Sequence, residues 1–358
     1  DAGFGGDGGG FIYGVSVFLK GRGGGRGRVA ARLEAKRGGS MGEKIYLSYE
    51  QQVEKLRRDG LIVEDERTAI SRLKWEGYYN FAVGYNRLFK DDRKRYICGV
   101  RFEHIEALYD FDKHLRGIVY EYTQGVECNL KALIADTFSR LYGVREKAYL
   151  TEENFTSDPA ERGNVRWLIA TCRDLIRDSM REGTKSYRDY IAHNAKVYGH
   201  VPLWALIRAL SFGNASKFLK LMKPEDRSEI AGEYRLSGKT LCNMTEIAVS
   251  FRNIAAHGER VYCAHLPAVR LTENLSVFRK IQVPGFSDGR LRYGRCDFLA
   301  LMLVFKYMLP RKEFSVFLSR VKKEVEELKS VLPAFAMRRV FEQTGLSGAW
   351  KKLNDISV

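Results

Sequence analysis

A chain of 358 residues is long enough to bury a large apolar core, and its composition excludes a disordered protein. Its 60 Lys and Arg residues against 44 Asp and Glu residues give a net charge of +16, which favours a polyanionic partner such as nucleic acid. No apolar run approaches the roughly 18 residues that a membrane span needs. We therefore expect a cytoplasmic protein with no membrane partner.

Residues 1–40 differ from the rest of the chain because they contain 14 of the 34 glycines and no regular apolar period. We interpret them as non-native or translated upstream sequence before Met41, although a flexible basic arm has the same composition. The folded part is expected to have an N-terminal helical region at 41–103, a helical core at 104–265 and a C-terminal helical region at 266–358.

Apolar residues recur at helical spacing after Met41. Ser48 and Gly60 are the expected caps of a first helix. The segment from His104 to Gly143 keeps a helical period throughout and predicts one or two long core helices. Further helices are predicted at 202–222, 238–262, 295–309 and 313–332. Strand-like alternation is confined to short pieces such as "RYICGVRF" at 95–102, so the sequence predicts an all-α helical bundle.

The six cysteines stand far apart, with no C-x-x-C pair and no histidine at zinc-finger spacing. This pattern is typical of buried thiols in a reducing compartment. We therefore expect no metal site and no cofactor.

The segment "FRNIAAHGERVY", residues 251–262, has an arginine and an asparagine on one side of an apolar stretch and a histidine on the other. On a regular helix Asn253 and His257 share a face, whereas Arg252 lies about 140° away from His257. A site that uses both Arg252 and His257 needs the reach of the arginine, the end of the helix, or a second copy of the segment from a dimer partner.

If these side chains converge, they suit the cleavage of RNA by its own 2′-hydroxyl group. A histidine can take up and release the proton near neutral pH without a metal ion. A permanently charged arginine can stabilise phosphate oxygens, and an amide can orient either group. The spacing alone is a weak signal, because Arg188 and His193 share it and a solvated arginine with a core or capping histidine is the ordinary interpretation.

Five sequence segments, taken together and in order, indicate a protein family more specifically than any one of them does. In order they are "YLSYEQQVEKLRRDGLIVEDERTAISRLKWEGYYNF", "LYDFDKHLRGIVYEYTQGVECNLKALIADTFSRLYG", "VPLWALIRALSFGNASKFLKLM", "FRNIAAHGERVY" and "TGLSGAW". With these landmarks the chain resembles the Abi-like abortive-infection proteins of bacteria, the AbiD/AbiF group. That group is placed in the HEPN superfamily of helical ribonucleases, distantly related to type VI CRISPR effectors.

The resemblance implies an HEPN-type helical bundle with additional N-terminal and C-terminal helices and an R-N-x-x-x-H motif within 104–265. It implies Arg252, Asn253 and His257 as catalytic residues, in a site assembled from two motifs across the two-fold axis of a homodimer. It also leads us to expect an RNA contact for Arg260 and Tyr262, with a structural role for both as the alternative.

Glu127 and Arg116 fall on the landmark "LR…E" of the second segment, and we expect them to support the catalytic residues from a neighbouring helix. Glu127 is the expected partner of Arg252 or of a histidine; the alternative is a structural ion pair on a buried helix. The segment 264–294 matches the family only loosely and is a candidate for setting the choice of substrate or partner.

The expected function is that of a metal-independent endoribonuclease of an anti-phage defence system in the bacterial cytoplasm. The alternative is an RNA-binding protein that holds a structured small non-coding RNA and acts as a regulator or an RNA-controlled toxin. A DNA-binding regulator is a weaker interpretation, because no compact helix-turn-helix is evident.

Overall fold

The computed structural model of the chain describes residues 45–266, 268–272, 275–285, 290–346 and 350–356. The interpretation of residues 1–40 therefore lies outside the described residues. In the described parts the regular structure is helical, and paired extended residues occur only as isolated bridges, among them Ile62–Arg101 and Lys90–Tyr96 near the predicted strand-like piece. The prediction of an all-α protein is confirmed.

The helices before the motif are α1 (Tyr49–Arg58), α2 (Glu66–Glu76), α3 (Phe102–Tyr142), α4 (Glu146–Tyr149), α5 (Arg162–Ser179), α6 (Asp189–Tyr198), α7 (Leu203–Ala209), α8 (Phe212–Leu221) and α9 (Pro224–Glu233). The motif helix and those after it are α10 (Gly238–Ala256), α11 (Ser276–Lys280), α12 (Phe298–Met308), α13 (Arg311–Val331) and α14 (Ala334–Thr344). Shorter helical turns lie at Tyr79–Val83 (a π-helix), Asn86–Phe89, Glu152–Asn154, Pro159–Glu161 and Trp350–Asp355.

Helix α1 begins where the sequence predicts. The Ser48 side chain accepts a hydrogen bond from the Gln51 backbone N–H at 3.3 Å, and the Gln51 side chain accepts one from the Ser48 N–H at 2.9 Å. This reciprocal pair satisfies two N–H groups that the first turn would otherwise leave unpaired. The helix ends at Arg58, and Gly60 follows in the left-handed region at φ +101°.

Helix α3 is the central element, and the predicted segment forms one helix of 41 residues that ends beside Gly143. Its buried face includes Leu115, Val119, Val126 and Ile134, which recur on the helical period. Helices α7, α10 and α13 pack against it, so side chains on α3 can reach the motif helix and the corner between α7 and α8.

Two predicted helices have different boundaries from those expected. The segment 202–222 forms α7 and α8, which meet at a sharp corner at Leu210 and Ser211. The segment 238–262 is helical only as far as Ala256, so the last six residues of the predicted helix form a turn and an extended segment. The second difference decides where His257 lies.

All six cysteines are free. Cys172, Cys242 and Cys296 are buried, whereas Cys98 and Cys128 are exposed, so the expectation of buried thiols is wrong for these two. Among the described residues, no helix combines the length and apolar composition needed to cross a membrane.

The segment "TGLSGAW" contributes a close packing contact through Gly345. This glycine follows α14 at φ +74°, and a Cβ atom on it would lie 2.7 Å from a carboxylate oxygen of Asp297. Asp297 accepts hydrogen bonds from the backbone N–H groups of Gly294 and Ala300 and so begins α12. A side chain at 345 would therefore displace the cap of a buried helix.

Gly345→Ala is therefore expected to lower the free energy of unfolding through two effects, one on the backbone conformation and one on packing. The left-handed conformation costs a non-glycine residue about 1 to 2 kcal/mol, and the overpacking against Asp297 adds about 1 to 3 kcal/mol. Gly199→Ala is the control, because Gly199 also follows a helix in the left-handed conformation, at φ +68°, and a Cβ atom on it would meet no described residue within 4 Å. Urea denaturation should show a larger loss for Gly345→Ala; equal losses would contradict the role given to the Asp297 contact.

Candidate functional site

The motif lies at the C-terminal end of α10. The Ser237 side chain caps the start of this helix by accepting a hydrogen bond from the Thr240 N–H at 3.2 Å. At its other end the N–H of Gly258 donates to the Ala255 carbonyl at 3.3 Å, and the N–H of Glu259 donates to the Ile254 carbonyl at 3.0 Å. This pair of bonds is the Schellman arrangement, in which a glycine at positive φ ends a helix.

His257 is the C-terminal cap residue of α10 and is exposed. Its backbone N–H donates to the Asn253 carbonyl at 3.0 Å. The imidazole has no hydrogen-bond or ion-pair partner in the part of the chain that the structure describes. It is therefore accessible to a ligand from solvent.

The side chains of Arg252 and Asn253 are hydrogen-bonded to each other, and among the described residues neither is hydrogen-bonded to the imidazole of His257. An Nη atom of Arg252 donates to Oδ1 of Asn253 at 3.1 Å. No hydrogen bond joins the side chains of Arg252 and His257 within the described residues. Within the described residues the arginine is therefore hydrogen-bonded to the amide and not to the imidazole, which agrees with the helical spacing of Arg252 and His257.

The guanidinium group of Arg252 also faces Glu127 on α3. The other Nη atom lies 3.9 Å from Oε2 of Glu127, and Lys131 donates to Oε1 of the same carboxylate at 2.6 Å. Lys131 in turn donates to the Leu210 carbonyl at 2.6 Å, at the corner between α7 and α8. Glu127 is thus shared between two cations, and the site contains more positive than negative charge.

One nitrogen of this group has no partner. Nε of Arg252 is buried and makes no hydrogen bond to any described residue. A buried donor without an acceptor is costly, so a shift of the side chain that lets Nε donate to a bound anion would be favourable. Arginine is also the side chain best suited to bidentate binding of phosphate.

Helix α8 begins close to the motif helix. Its cap, Ser211, accepts a hydrogen bond from the Asn214 N–H at 3.1 Å, and a Cβ on Gly213 would lie 3.9 Å from the Val249 side chain. Val249 is almost one helical turn before Arg252 on α10. The positive end of the α8 dipole therefore lies on the side of α10 that carries Arg252, which favours a negatively charged ligand there.

Asp112 on α3 fixes the segment that follows the motif. One carboxylate oxygen of Asp112 accepts from the backbone N–H groups of Val261 at 3.0 Å and Tyr262 at 2.7 Å. The other accepts from the Tyr85 hydroxyl and the Arg116 guanidinium, both at 2.6 Å. Burial raises the pKa of Asp112 above its ordinary value, and the hydrogen bond from Tyr85 and the charge of Arg116 oppose that shift.

Arg116 belongs to this second cluster and not to the surroundings of Arg252. It contacts Asp112 and the Tyr85 hydroxyl, and it lies 11 residues before Glu127 on the same helix, which is about 16 Å along the axis. Any support that Arg116 gives to the candidate site therefore passes through Asp112 and the segment after His257.

Arg260 and Tyr262 are both engaged within the protein. The Arg260 guanidinium donates to the Gly84 carbonyl. The Tyr262 ring is buried and stacks on Tyr85, with 5.8 Å between the ring centroids. Of the two roles considered for these residues, the contacts favour the structural one.

The second Arg-x-x-x-x-His copy has different surroundings. Arg188 is the residue before α6, and its side chain donates to the Ser186 carbonyl at 3.4 Å. His193 is exposed and has its ring against Tyr198. Among the described residues, Arg188 has no carboxylate partner of the kind that Glu127 provides for Arg252.

A family model for the Abi-like proteins matches residues 71–263, which is more than half of the chain. The chain belongs to the Abi-like protein family. This membership suggests a part in abortive infection. No curated protein and no solved structure gives a significant match. The matched range of this Abi-like protein contains every candidate site residue and leaves out α11 to α14.

Two residues that contact the candidate site or the segment after it in this Abi-like protein, Asp112 and Lys131, are not among the residues that the sequence predicts. Asp112 stands four residues before Arg116, a spacing that often marks an ion pair on a helix, and Lys131 stands four residues after Glu127. Both spacings were visible, but neither shows that the aspartate would bind backbone groups after the motif. The described residues contain no cluster of three or more His, Cys, Asp or Glu arranged to hold a metal ion.

Proposed function

We propose that this Abi-like protein is a metal-independent endoribonuclease of the HEPN type, belongs to the AbiD/AbiF group, and acts in abortive infection. The observation that carries the proposal is the set of contacts around the Arg252 guanidinium. This guanidinium lies 3.9 Å from Glu127, donates to Asn253 and has a buried Nε without a partner among the described residues. Arg252 also lies on the helix that ends at an exposed histidine. This arrangement suits an anion whose reaction needs proton transfer.

The proposed reaction is attack of a ribose 2′-oxygen on the adjacent phosphorus atom. A P–O2′ bond forms and the P–O5′ bond breaks, which leaves a 2′,3′-cyclic phosphate and a 5′-hydroxyl group. His257 takes the proton from the 2′-hydroxyl or gives one to the departing 5′-oxygen. Arg252 stabilises the charge on the non-bridging phosphate oxygens, and Asn253 orients its guanidinium.

Cleavage of RNA by purified protein in EDTA tests this function. The expected products carry 2′,3′-cyclic phosphate ends and form at the same rate with and without added divalent metal. A protein with Arg252→Ala and His257→Ala together, purified in the same way, controls for contaminating ribonucleases. Products with 3′-hydroxyl ends, or equal cleavage by the double variant, would rule the proposal out.

We further propose that two copies of the chain share the site, with the arginine of one protomer acting beside the histidine of the other. The lack of a hydrogen bond between the Arg252 and His257 side chains among the described residues of one chain supports this arrangement. Two single variants, Arg252→Ala and His257→Ala, are each expected to be inactive alone. When mixed, they should recover part of the activity, because a mixed dimer contains one intact arginine and one intact histidine.

The control for this mixing experiment is each variant mixed with an equal amount of the double variant, which restores no complementary pair. Activity should also fall on dilution below the dissociation constant of the dimer. A mixture that stays as inactive as the control would show that one chain supplies both residues.

A second candidate function is the binding of a structured small non-coding RNA without cleavage. The lack of a hydrogen bond between Arg252 and His257 among the described residues favours it, since a phosphate can be held by Arg252 without any proton transfer. An absorbance ratio at 260 and 280 nm that reveals one defined copurified RNA, together with no dependence of cleavage on His257, would support this function over the first.

A further inference from the structure

A cavity of about 710 Å³ lies among the C-terminal elements, outside the range that the family model matches. It is bordered by Tyr293 in the loosely matching segment, by Lys329 on α13, by Phe341 on α14 and by Trp350 in the last helical turn. None of the residues that line it belongs to the candidate catalytic site. Described residues of two segments that the proposed function does not use, Tyr293 and Trp350, thus border the same cavity.

The cavity carries an excess of positive charge. Among the described residues, five cationic side chains line it against one carboxylate, Glu342; the five are Arg292, Lys329, Arg338, Lys351 and Lys352. Lys351 pairs with Glu326, and Lys329 lies 3.9 Å from the same carboxylate. The other three cations form no ion pair with a described residue, so the potential at this site favours an anion.

The wall of the cavity also offers aromatic surface. Tyr293 and Phe341 are partly exposed, whereas Trp350 and Leu346 are buried and form a packed apolar base. The guanidinium carbon of Arg292 lies 5.3 Å from the Tyr293 ring centroid, which places a planar cation beside a ring. Partly exposed rings can stack on a planar aromatic ligand, and nearby arginines can bind its phosphate.

We propose that this cavity binds a nucleotide, with its base against Tyr293 and Phe341 and its phosphate near Arg292, Arg338 and Lys352. A bare phosphate would leave the rings unused, and an apolar ligand would leave the cations unpaired. The volume is within the range of about 300 to 1,000 Å³ that is usual for small-molecule sites. The nucleotide can be free or can be the terminal nucleotide of an RNA, since both present the same base and phosphate.

Isothermal titration calorimetry on the full chain at fixed ionic strength tests this site with adenosine 5′-monophosphate, adenosine and inorganic phosphate. The monophosphate is expected to bind at least about tenfold more tightly than either of the other two, because only it engages both the rings and the cations. The variant Arg338→Glu with Lys352→Glu should weaken its binding by about tenfold or more, as expected for the loss of charge-assisted hydrogen bonds.

A second double variant, Lys312→Glu with Lys323→Glu, is the matched control. Both lysines lie on α13 outside the cavity, and the change in net charge is the same. It should bind the monophosphate as the unaltered protein does. An equal loss in the two double variants, no binding of the monophosphate at millimolar concentration, or binding of adenosine or phosphate with equal affinity would overturn the proposal.

Competition distinguishes the two sources of the nucleotide, with Arg252→Ala and His257→Ala present so that the RNA stays intact. Two short RNAs are compared, one with a 5′-phosphate and one with a 5′-hydroxyl group. If the first displaces the monophosphate at a lower concentration than the second, the ligand of the cavity is the end of an RNA. If both RNAs fail to displace the monophosphate, the ligand is a free nucleotide. The site does not depend on the proposed ribonuclease activity, so either idea can fail without the other.

Discussion

His257→Ala is expected to lower the rate of RNA cleavage by about 10²- to 10⁴-fold, the usual contribution of a positioned proton-transfer group. The loss should be confined to the chemical step, because His257 is exposed at the end of α10 and its imidazole contacts no described partner. Initial rates on a labelled RNA in EDTA measure the effect. Urea denaturation and RNA binding should stay close to those of the unaltered protein.

His193→Ala is the matched control, because His193 is also an exposed histidine five residues after an arginine. It should leave the cleavage rate unchanged, since Arg188 lies before α6 and bonds to a backbone carbonyl. Similar losses of cleavage rate in the two variants would contradict the assignment, because the surroundings of Arg252 would then give His257 no special role. Full activity of His257→Ala would remove the histidine from the mechanism.

Asp112→Ala should lower the free energy of unfolding by about 3 to 5 kcal/mol, the usual cost of removing one partner of a buried ion pair. Arg116 is only 12% exposed and would keep its charge without a carboxylate. The N–H groups of Val261 and Tyr262 would also lose their acceptor. RNA cleavage should fall as well, because the segment after His257 would no longer be fixed to α3.

Asp110→Ala is the control on the same helix. Asp110 pairs with Arg72, but its side chain is 43% exposed, so its removal should cost no more than about 1 kcal/mol. If Asp112→Ala does not fold, Asp112→Asn provides the comparison, because it keeps one acceptor for the two backbone N–H groups and loses the charge that faces Arg116. Urea denaturation that gives Asp110→Ala and Asp112→Ala the same stability would contradict the role of Asp112.

Much of the helical pattern was predictable because it depends on neighbours in the sequence. The capping box at Ser48 spans three residues, and the period of apolar residues between His104 and Gly143 follows from the helical repeat. The end of α10 is also local, because Gly258 completes a Schellman arrangement within the last turn. The sequence predicts that this helix ends at residue 262 and not at Ala256, because the apolar residues after Gly258 continue the helical period.

The candidate site was predictable only in part. The sequence predicts the candidate residues Arg252, Asn253 and His257 from their type and spacing and from the order of the five landmarks. Their catalytic role stays a prediction, as do the RNA partner, the homodimer and the cytoplasmic location. Both alternatives expected for Glu127 are present in its contacts, because it lies 3.9 Å from Arg252 and accepts a 2.6 Å hydrogen bond from Lys131 on its own helix.

By itself, the sequence determined the helical class, the positions of several long helices and the identity of the motif, because caps and periodicity act over three or four residues. Only the tertiary structure decided what surrounds the motif. Asp112 binds backbone groups 149 and 150 residues away, and Lys131 reaches a carbonyl 79 residues away. Such contacts depend on how α3, α7 and α10 pack together, and a backbone N–H or C=O group leaves no trace in the amino-acid sequence.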